Sequence, residues 1–218
     1  MNAAVGIRAV ISDFGGVLTT PLLGSFMALQ DEIGIEAGTL GRAMQRIAER
    51  EGEHPLFELE RGRVTEVDFL ASLRRELAAD LGHEPELHRF SEIYFDALRV
   101  NEPMIGLMRD SKARGYRMAL LTNNVREWEP LWRGMVPIDE IFELVVDSAF
   151  VGMRKPEREI YELTVERLGD GIGPADCLFI DDVEVNVEAA REVGMRAVHF
   201  QSNEQAIPEI EAALDAAT

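Results

Sequence analysis

Five positions in this chain carry groups suited to chemistry on an anion: Asp13, Thr122, Lys155 and the adjacent pair Asp181-Asp182. Four of them close short apolar runs. Asp13 ends Ala9-Val10-Ile11-Ser12 and is followed by Phe14-Gly15-Gly16, Thr122-Asn123-Asn124 follows Met118-Ala119-Leu120-Leu121, and Asp181-Asp182 follows Leu178-Phe179-Ile180. Asp147 ends a further run of this kind, as either a rim residue or a turn former. Lys155 stands in Arg154-Lys155-Pro156-Glu157, just ahead of a helical pattern. Any one of these is ordinary, since an aspartate before glycine is first of all a turn residue. Together they offer carboxylates with open positions, which suit a hard cation such as Mg2+. The hydroxyl, the amide and the lysine are donors for phosphoryl oxygens.

Convergence of such distant residues requires a particular scaffold. The runs Ile7–Ser12, Arg117–Leu121, Leu144–Asp147, Cys177–Ile180 and Arg196–Phe200 read as strands. Most are too apolar to alternate, as expected of strands covered on both faces. Helical patterns lie between them: Asn101 to Arg114 behind an Asn cap, Pro156 to Leu168, and Val183 to Val193, each followed by glycine. Strand–helix alternation predicts an α/β fold, a Rossmann-like doubly wound parallel sheet whose strand ends share one edge. Residues 21–100 break the pattern with amphipathic segments and no convincing strand. The clearest is Thr65 to Leu81, with Thr65 and Asp68 as a capping box and a stripe of Val67, Leu70, Leu73 and Leu77. Phe90, Ile93, Tyr94 and Leu98 make a second stripe. The expected organisation is a core of residues 1–20 and 101–218 with an all-helical cap domain of residues 21–100 inserted over the sheet edge.

The composition narrows the partners. With 218 residues, 46% hydrophobic, the chain can bury a full core, and its formal charge of −18 would repel nucleic acid and anionic membranes. The single cysteine, Cys177, sits in an apolar run and reads as a small buried hydrophobe. His54, His83, His88 and His199 lack zinc-ligand spacing. No basic-then-apolar leader opens the sequence, which predicts a cytoplasmic protein.

Taken in order, the motifs resemble those of the haloacid dehalogenase superfamily, in its phosphatase-like branch with a helical cap. Asp13-Phe14-Gly15-Gly16-Val17-Leu18 resembles the first motif and Leu120-Leu121-Thr122-Asn123 the second. Arg154-Lys155-Pro156 resembles the third and Phe179-Ile180-Asp181-Asp182 the fourth, with Asn186 beyond it. The resemblance implies that Asp13 attacks phosphorus and forms an aspartyl-phosphate. Asp13, the Gly15 carbonyl and Asp182 would bind Mg2+, with Asp181 as a further ligand or an anchor behind them. Thr122 and Asn123 would hold the phosphoryl group of a small phosphorylated metabolite, and Lys155 would neutralise charge.

One position departs from that pattern. The family's usual second aspartate, the general acid and base, is Gly15 here, and loss of such a group costs about 10²–10⁴ in rate. A related branch carries glycine at the same place. Two alternatives are therefore weighed: a haloacid dehalogenase-type hydrolase, and a catalytically weak protein that keeps the fold for binding or regulation. The paired Asp181-Asp182 argues against the first, because adjacent carboxylates need a cation that halide chemistry does not. Trp128 and Trp132 share a helical face and are expected to pack in the core rather than form a substrate platform, and Arg126 is expected to lie at the surface rather than reach substrate.

Overall fold

The five apolar runs form one parallel sheet of β1 (Ala9–Ser12), β2 (Arg117–Thr122), β3 (Leu144–Asp147), β4 (Cys177–Asp181) and β5 (Arg196–His199), in the order β3-β2-β1-β4-β5. The computed structural model describes residues 6–216, so the outermost ends of the expected core, 1–5 and 217–218, lie outside the described residues. Side chains alternate strictly between the two faces. Val10, Met118, Leu120, Leu178 and Ile180 enter one apolar cluster, while Ala9, Ile11, Ala119, Leu121, Cys177 and Phe179 enter the other. Two buried faces explain why the strands read as continuous apolar runs.

Among the described residues, twelve α-helices accompany the sheet. Five lie between β1 and β2 before the crossover: α1 (Leu23–Glu32), α2 (Thr39–Glu51), α3 (Pro55–Glu60), α4 (Glu66–Leu81) and α5 (Phe90–Asp96). The crossover itself is α6 (Glu102–Ala113). Then come α7 (Glu129–Met135), α8 (Ile138–Ile141), α9 (Ser148–Val151), α10 (Arg158–Leu168), α11 (Glu184–Val193) and α12 (Asn203–Asp215). Helices α10 and α11 cover one face of the sheet and α6 and α12 the other. Among the described residues, no helix is long and apolar enough to cross a membrane.

Residues 21–100 hold no strand, and their helices pair α1 with α5 and α2 with α4. The two ends of this stretch are fastened to each other by the Thr19–Val100 bridge and by Thr20 N–H to the Arg99 carbonyl at 2.8 Å. Within α4 the buried face is Phe69, Leu73 and Leu77, with Leu70 beside it. Val67, expected in that stripe, is 75% exposed instead. The Thr65 hydroxyl accepts from the Asp68 N–H at 3.1 Å, and it donates to the Asp68 carboxylate at 2.7 Å. The reciprocal bond of the capping box thus runs through the hydroxyl rather than the backbone. Asn101 likewise departs from its expected role. Its side chain caps no helix and donates to the Val17 carbonyl and to Asn203, tying the segment after β1 to α12.

Candidate active site

Parallel register brings the chemistry together. Ser12 pairs with Leu120 on one side and Ile180 on the other, so the next residue, Asp13, lies level with the ends of β2 and β4. The chain reverses its direction of travel across the sheet between β1 and β4, which is where open α/β sheets leave a crevice for ligand. Asp13 and Asp181 flank that crevice.

Lys155 sits at its floor, 1% exposed, with its ammonium 2.7 Å from Asp13 Oδ1 and 2.6 Å from Asp181 Oδ2. Burial works against its charge, but Asp13 and Asp181 outweigh burial and hold the ammonium above its ordinary value. The backbone of Lys155 is gripped by one side chain. Asn123 Oδ1 accepts from the Lys155 N–H at 2.8 Å, and Asn123 Nδ2 donates to the Lys155 carbonyl at 3.0 Å. Asn123, expected to hold phosphate, therefore spends its side-chain amide on positioning the lysine, although the residue also lines the crevice. Thr122, at the end of β2, lines the same crevice.

Asp181 is fully engaged. Its Oδ1 accepts from the Val183 N–H at 2.8 Å and from Asn186 Nδ2 at 3.1 Å, while Oδ2 takes Lys155. Those bonds give both of its carboxylate oxygens a partner. Asp182 faces the crevice and leans on Gly16, where a Cβ would come within 2.0 Å of its Oδ2. Gly16 also has φ +78°, so only glycine serves there. The sequence placed the significance of the glycine pair at Gly15, but the backbone requirement falls on Gly16.

One oxygen from each of Asp13, Asp181 and Asp182 lies within 4.8 Å of the others. Desolvation pushes the Asp13 carboxyl up to about 8, with Lys155 opposing and Asp181 and Asp182 adding to the rise. Desolvation and Asp181 push Asp182 up to about 6. Two buried acids and a half-buried one against a single lysine are short of positive charge. The donor set is all oxygen, so the deficit and the chemistry both fit Mg2+.

Above this floor lies a cavity of about 660 Å³, lined by the ends of β1, β2 and β4 and by residues of α1, α3 and α5. Gly15 and Leu22 lie side by side in its wall, and a Cβ on Gly15 would meet Leu22 Cδ1 at 3.0 Å. Glu60 and Arg154 face it as an ion pair, Oε2 to Nε 2.6 Å, and burial raises the Glu60 carboxyl against Arg154's opposing pull. Trp132 is fully buried beside Phe14, their ring centres 5.5 Å apart, as expected of a core residue. Trp128 packs on Tyr94 at 5.1 Å but also lines the cavity, so it combines packing with a place in the cavity wall. Asp147 lies outside the cavity and caps α9, accepting from the Ala149 N–H at 3.0 Å. Arg126 also lies outside it, over the Phe150 ring and bonded to the Ala149 carbonyl.

Known proteins resemble this chain in sequence and in fold. The family model described as haloacid dehalogenase-like hydrolase matches residues 7–194. Bifunctional epoxide hydrolase 2 of Sus scrofa is 26% identical over 220 residues, which cover 95% of this chain and 39% of that protein, so the chain spans about two-fifths of that relative's length. The sesquiterpene phosphatase of Aspergillus oryzae is 28% identical over 202 residues, 88% of this chain and 89% of the relative. A HAD family enzyme from Bacteroides thetaiotaomicron, solved as a magnesium complex, superposes with a TM-score of 0.69 at 23% identity, over 94% of this chain and 98% of that one. An aspartate at the end of a central parallel strand, a lysine clasped against it and a carboxylate pair on the neighbouring strand thus belong to a member of the haloacid dehalogenase-like hydrolase family.

Proposed function

We propose that this hydrolase is a Mg2+-dependent phosphatase that cleaves a small phosphomonoester through an aspartyl-phosphate on Asp13. The observation that carries the reading is the Lys155 ammonium held between Asp13 and Asp181, with Asp182 and Thr122 at the mouth of the same crevice. Asp13 attacks phosphorus, the ester P–O bond breaks, and water later cleaves the acyl phosphate to release phosphate and free carboxylate. Thr122 and the Asn123 backbone N–H orient the phosphoryl oxygens, and Lys155 offsets the charge shared by them and Asp13. Asp13, Asp182 and the Gly15 carbonyl would hold Mg2+, which supplies Lewis-acid charge stabilisation when bound. Residues 21–100 act as the cap, since α1, α3 and α5 close the cavity over Asp13. The phosphatase named among the relatives and the magnesium complex of the Bacteroides enzyme both support the reading.

The test is turnover of p-nitrophenyl phosphate with and without Mg2+. Asp13→Asn is expected to abolish it, and Asp182→Ala to raise the Mg2+ concentration required. Turnover near the wild-type level in Asp13→Asn would remove the covalent mechanism.

A further inference from the structure

The walls of the cavity differ in chemistry from its floor. Charge and hydroxyl groups gather at the base, around Asp13, Thr122, Lys155 and Asp182. Away from it the surface is built from Phe26 of α1, Leu56 and Phe57 of α3, and Phe90, Tyr94 and Phe95 of α5, with Trp128 packed against the α5 rings. Most polar side chains beside them already hold a partner. Glu60 pairs with Arg154, and the Arg154 guanidinium lies 3.9 Å over the Phe57 ring, so even its charge is presented to an aromatic face. The Trp128 indole N–H is spent on Glu66 at 2.8 Å, Asn124 Oδ1 on the Val125 N–H at 2.9 Å, and Asn186 Nδ2 on Asp181.

A sugar or nucleoside phosphate entering this space would give up water at several hydroxyls, and the Tyr94 phenol, Glu60 and the amides of Asn124 and Asn186 are the few polar groups the walls offer in return. Buried polar groups without partners oppose binding. An apolar group loses nothing there and gains from leaving water. The volume, about 660 Å³, falls in the range that encloses an organic molecule of drug size, well beyond the space a glycerol or triose unit needs. The apolar walls also run directly onto the carboxylate floor, so one molecule can satisfy both.

Building on the phosphatase reading, we propose that the substrates are monophosphate esters of bulky apolar alcohols, with the hydrocarbon seated between α1, α3 and α5 and the phosphate on Asp13. An extended alkyl or prenyl chain and a fused-ring alcohol share this chemistry.

The experiment uses the full chain with Mg2+ and a series of n-alkyl monophosphates from ethyl to octyl, below their micelle concentrations. Their alcohols have nearly equal acidity, so the bond-breaking chemistry is constant and only the hydrocarbon varies. Glucose 6-phosphate is a primary ester of comparable leaving group, and 2-(1-naphthyl)ethyl phosphate tests the fused-ring arm. We expect kcat/KM to rise about two- to fourfold per methylene, the scale of burying one CH2, and mainly through KM. Glucose 6-phosphate should fall below hexyl phosphate, and whichever of octyl and naphthylethyl is preferred identifies chain or ring. Leu56→Asn should lower the octyl-to-ethyl ratio about tenfold, the loss expected when an apolar contact in a pocket is replaced. A series flat in chain length, a preference for glucose 6-phosphate, or an unchanged ratio in Leu56→Asn overturns the proposal. Should no phosphate ester be cleaved, p-nitrophenyl phosphate included, the phosphatase reading fails on its own. Calorimetric titration with octyl phosphate and glucose 6-phosphate then decides the cavity: tighter octyl phosphate supports the assignment, and equal affinities or no binding overturn it.

Discussion

Gly15 has no side chain to donate a proton, and Leu22 fills the space beside it. A phosphatase lacking its general acid depends on the leaving group's own acidity, so aryl phosphates should be cleaved much faster than alkyl esters. A leaving-group series measures this as a steep slope of kcat against alcohol pKa. Gly15→Asp meets no positive-φ strain at that position, but its Cβ requires Leu22 to give way, so Gly15→Asp combined with Leu22→Ala should flatten the slope more than Gly15→Asp alone. A flat wild-type slope would instead direct attention to Glu60, whose carboxyl is raised by burial and faces the cavity, and Glu60→Gln would then restore the slope. Asp13 makes a second prediction. In the metal-free protein its carboxyl sits at about 8 because of burial, against 3.8 for an exposed aspartate. The native state keeps a proton that the unfolded chain releases, so wild-type stability falls as pH rises between about 4 and 8. Asp13→Asn has no such proton. Melting temperatures in EDTA should shift in favour of the variant across that window and then level off.

Helix ends and faces were legible in the sequence to different degrees. Strand positions came through because an apolar run ending in a polar residue has few other readings, and Thr122 and Asp181 differ from expectation by only one residue. Thr65 was legible as a cap because its partner is three residues away. Thr65→Ala should cost about 1 kcal/mol in urea denaturation, as for other N-caps. Val67 was misread since a stripe of Val67, Leu70, Leu73 and Leu77 fits helical spacing as well as one of Phe69, Leu73 and Leu77 does. Only tertiary packing selects between them. Asp147 was undecided from spacing, and its cap on α9 appears only once the helix is seen to start there.

At the scale of the molecule, four motifs scattered over 170 residues predicted a single floor, and parallel register supplies it. The use of Asn123 could not be read, because the backbone it grips lies 32 residues away. Nor could the cavity wall, since Phe26, Phe57 and Trp128 look like core residues in any periodicity count. The junction between the helical stretch and the strand ends is held by charge. Arg154 binds Glu60, and Arg61 binds Glu157 at 2.5 Å, two pairs spanning from α3 to the loop that carries Lys155. Elsewhere the formal charge of −18 favours expansion of the chain. Raising NaCl from about 10 to 200 mM should therefore raise the melting temperature, since the screening length contracts over that range; a fall would show that the ion pairs dominate.

The lysine at the floor has a bearing on how the protein matures. Many metal centres hold their ligands together only once the ion arrives, so folding waits on metal supply. Here an internal cation already separates Asp13 from Asp181, and the chain can complete its fold in a cell compartment or growth condition poor in magnesium. On the proposed reading, Mg2+ loading would be a late, reversible event instead of a step in assembly, and chelation should silence the protein while leaving its circular dichroism unchanged. Removing that cation would reverse the order. Lys155→Met leaves the buried acids uncompensated, a loss of about 3–5 kcal/mol for a broken buried pair. Its melting temperature should then climb steeply with added Mg2+, turning a constitutively folded chain into one whose survival tracks the ion.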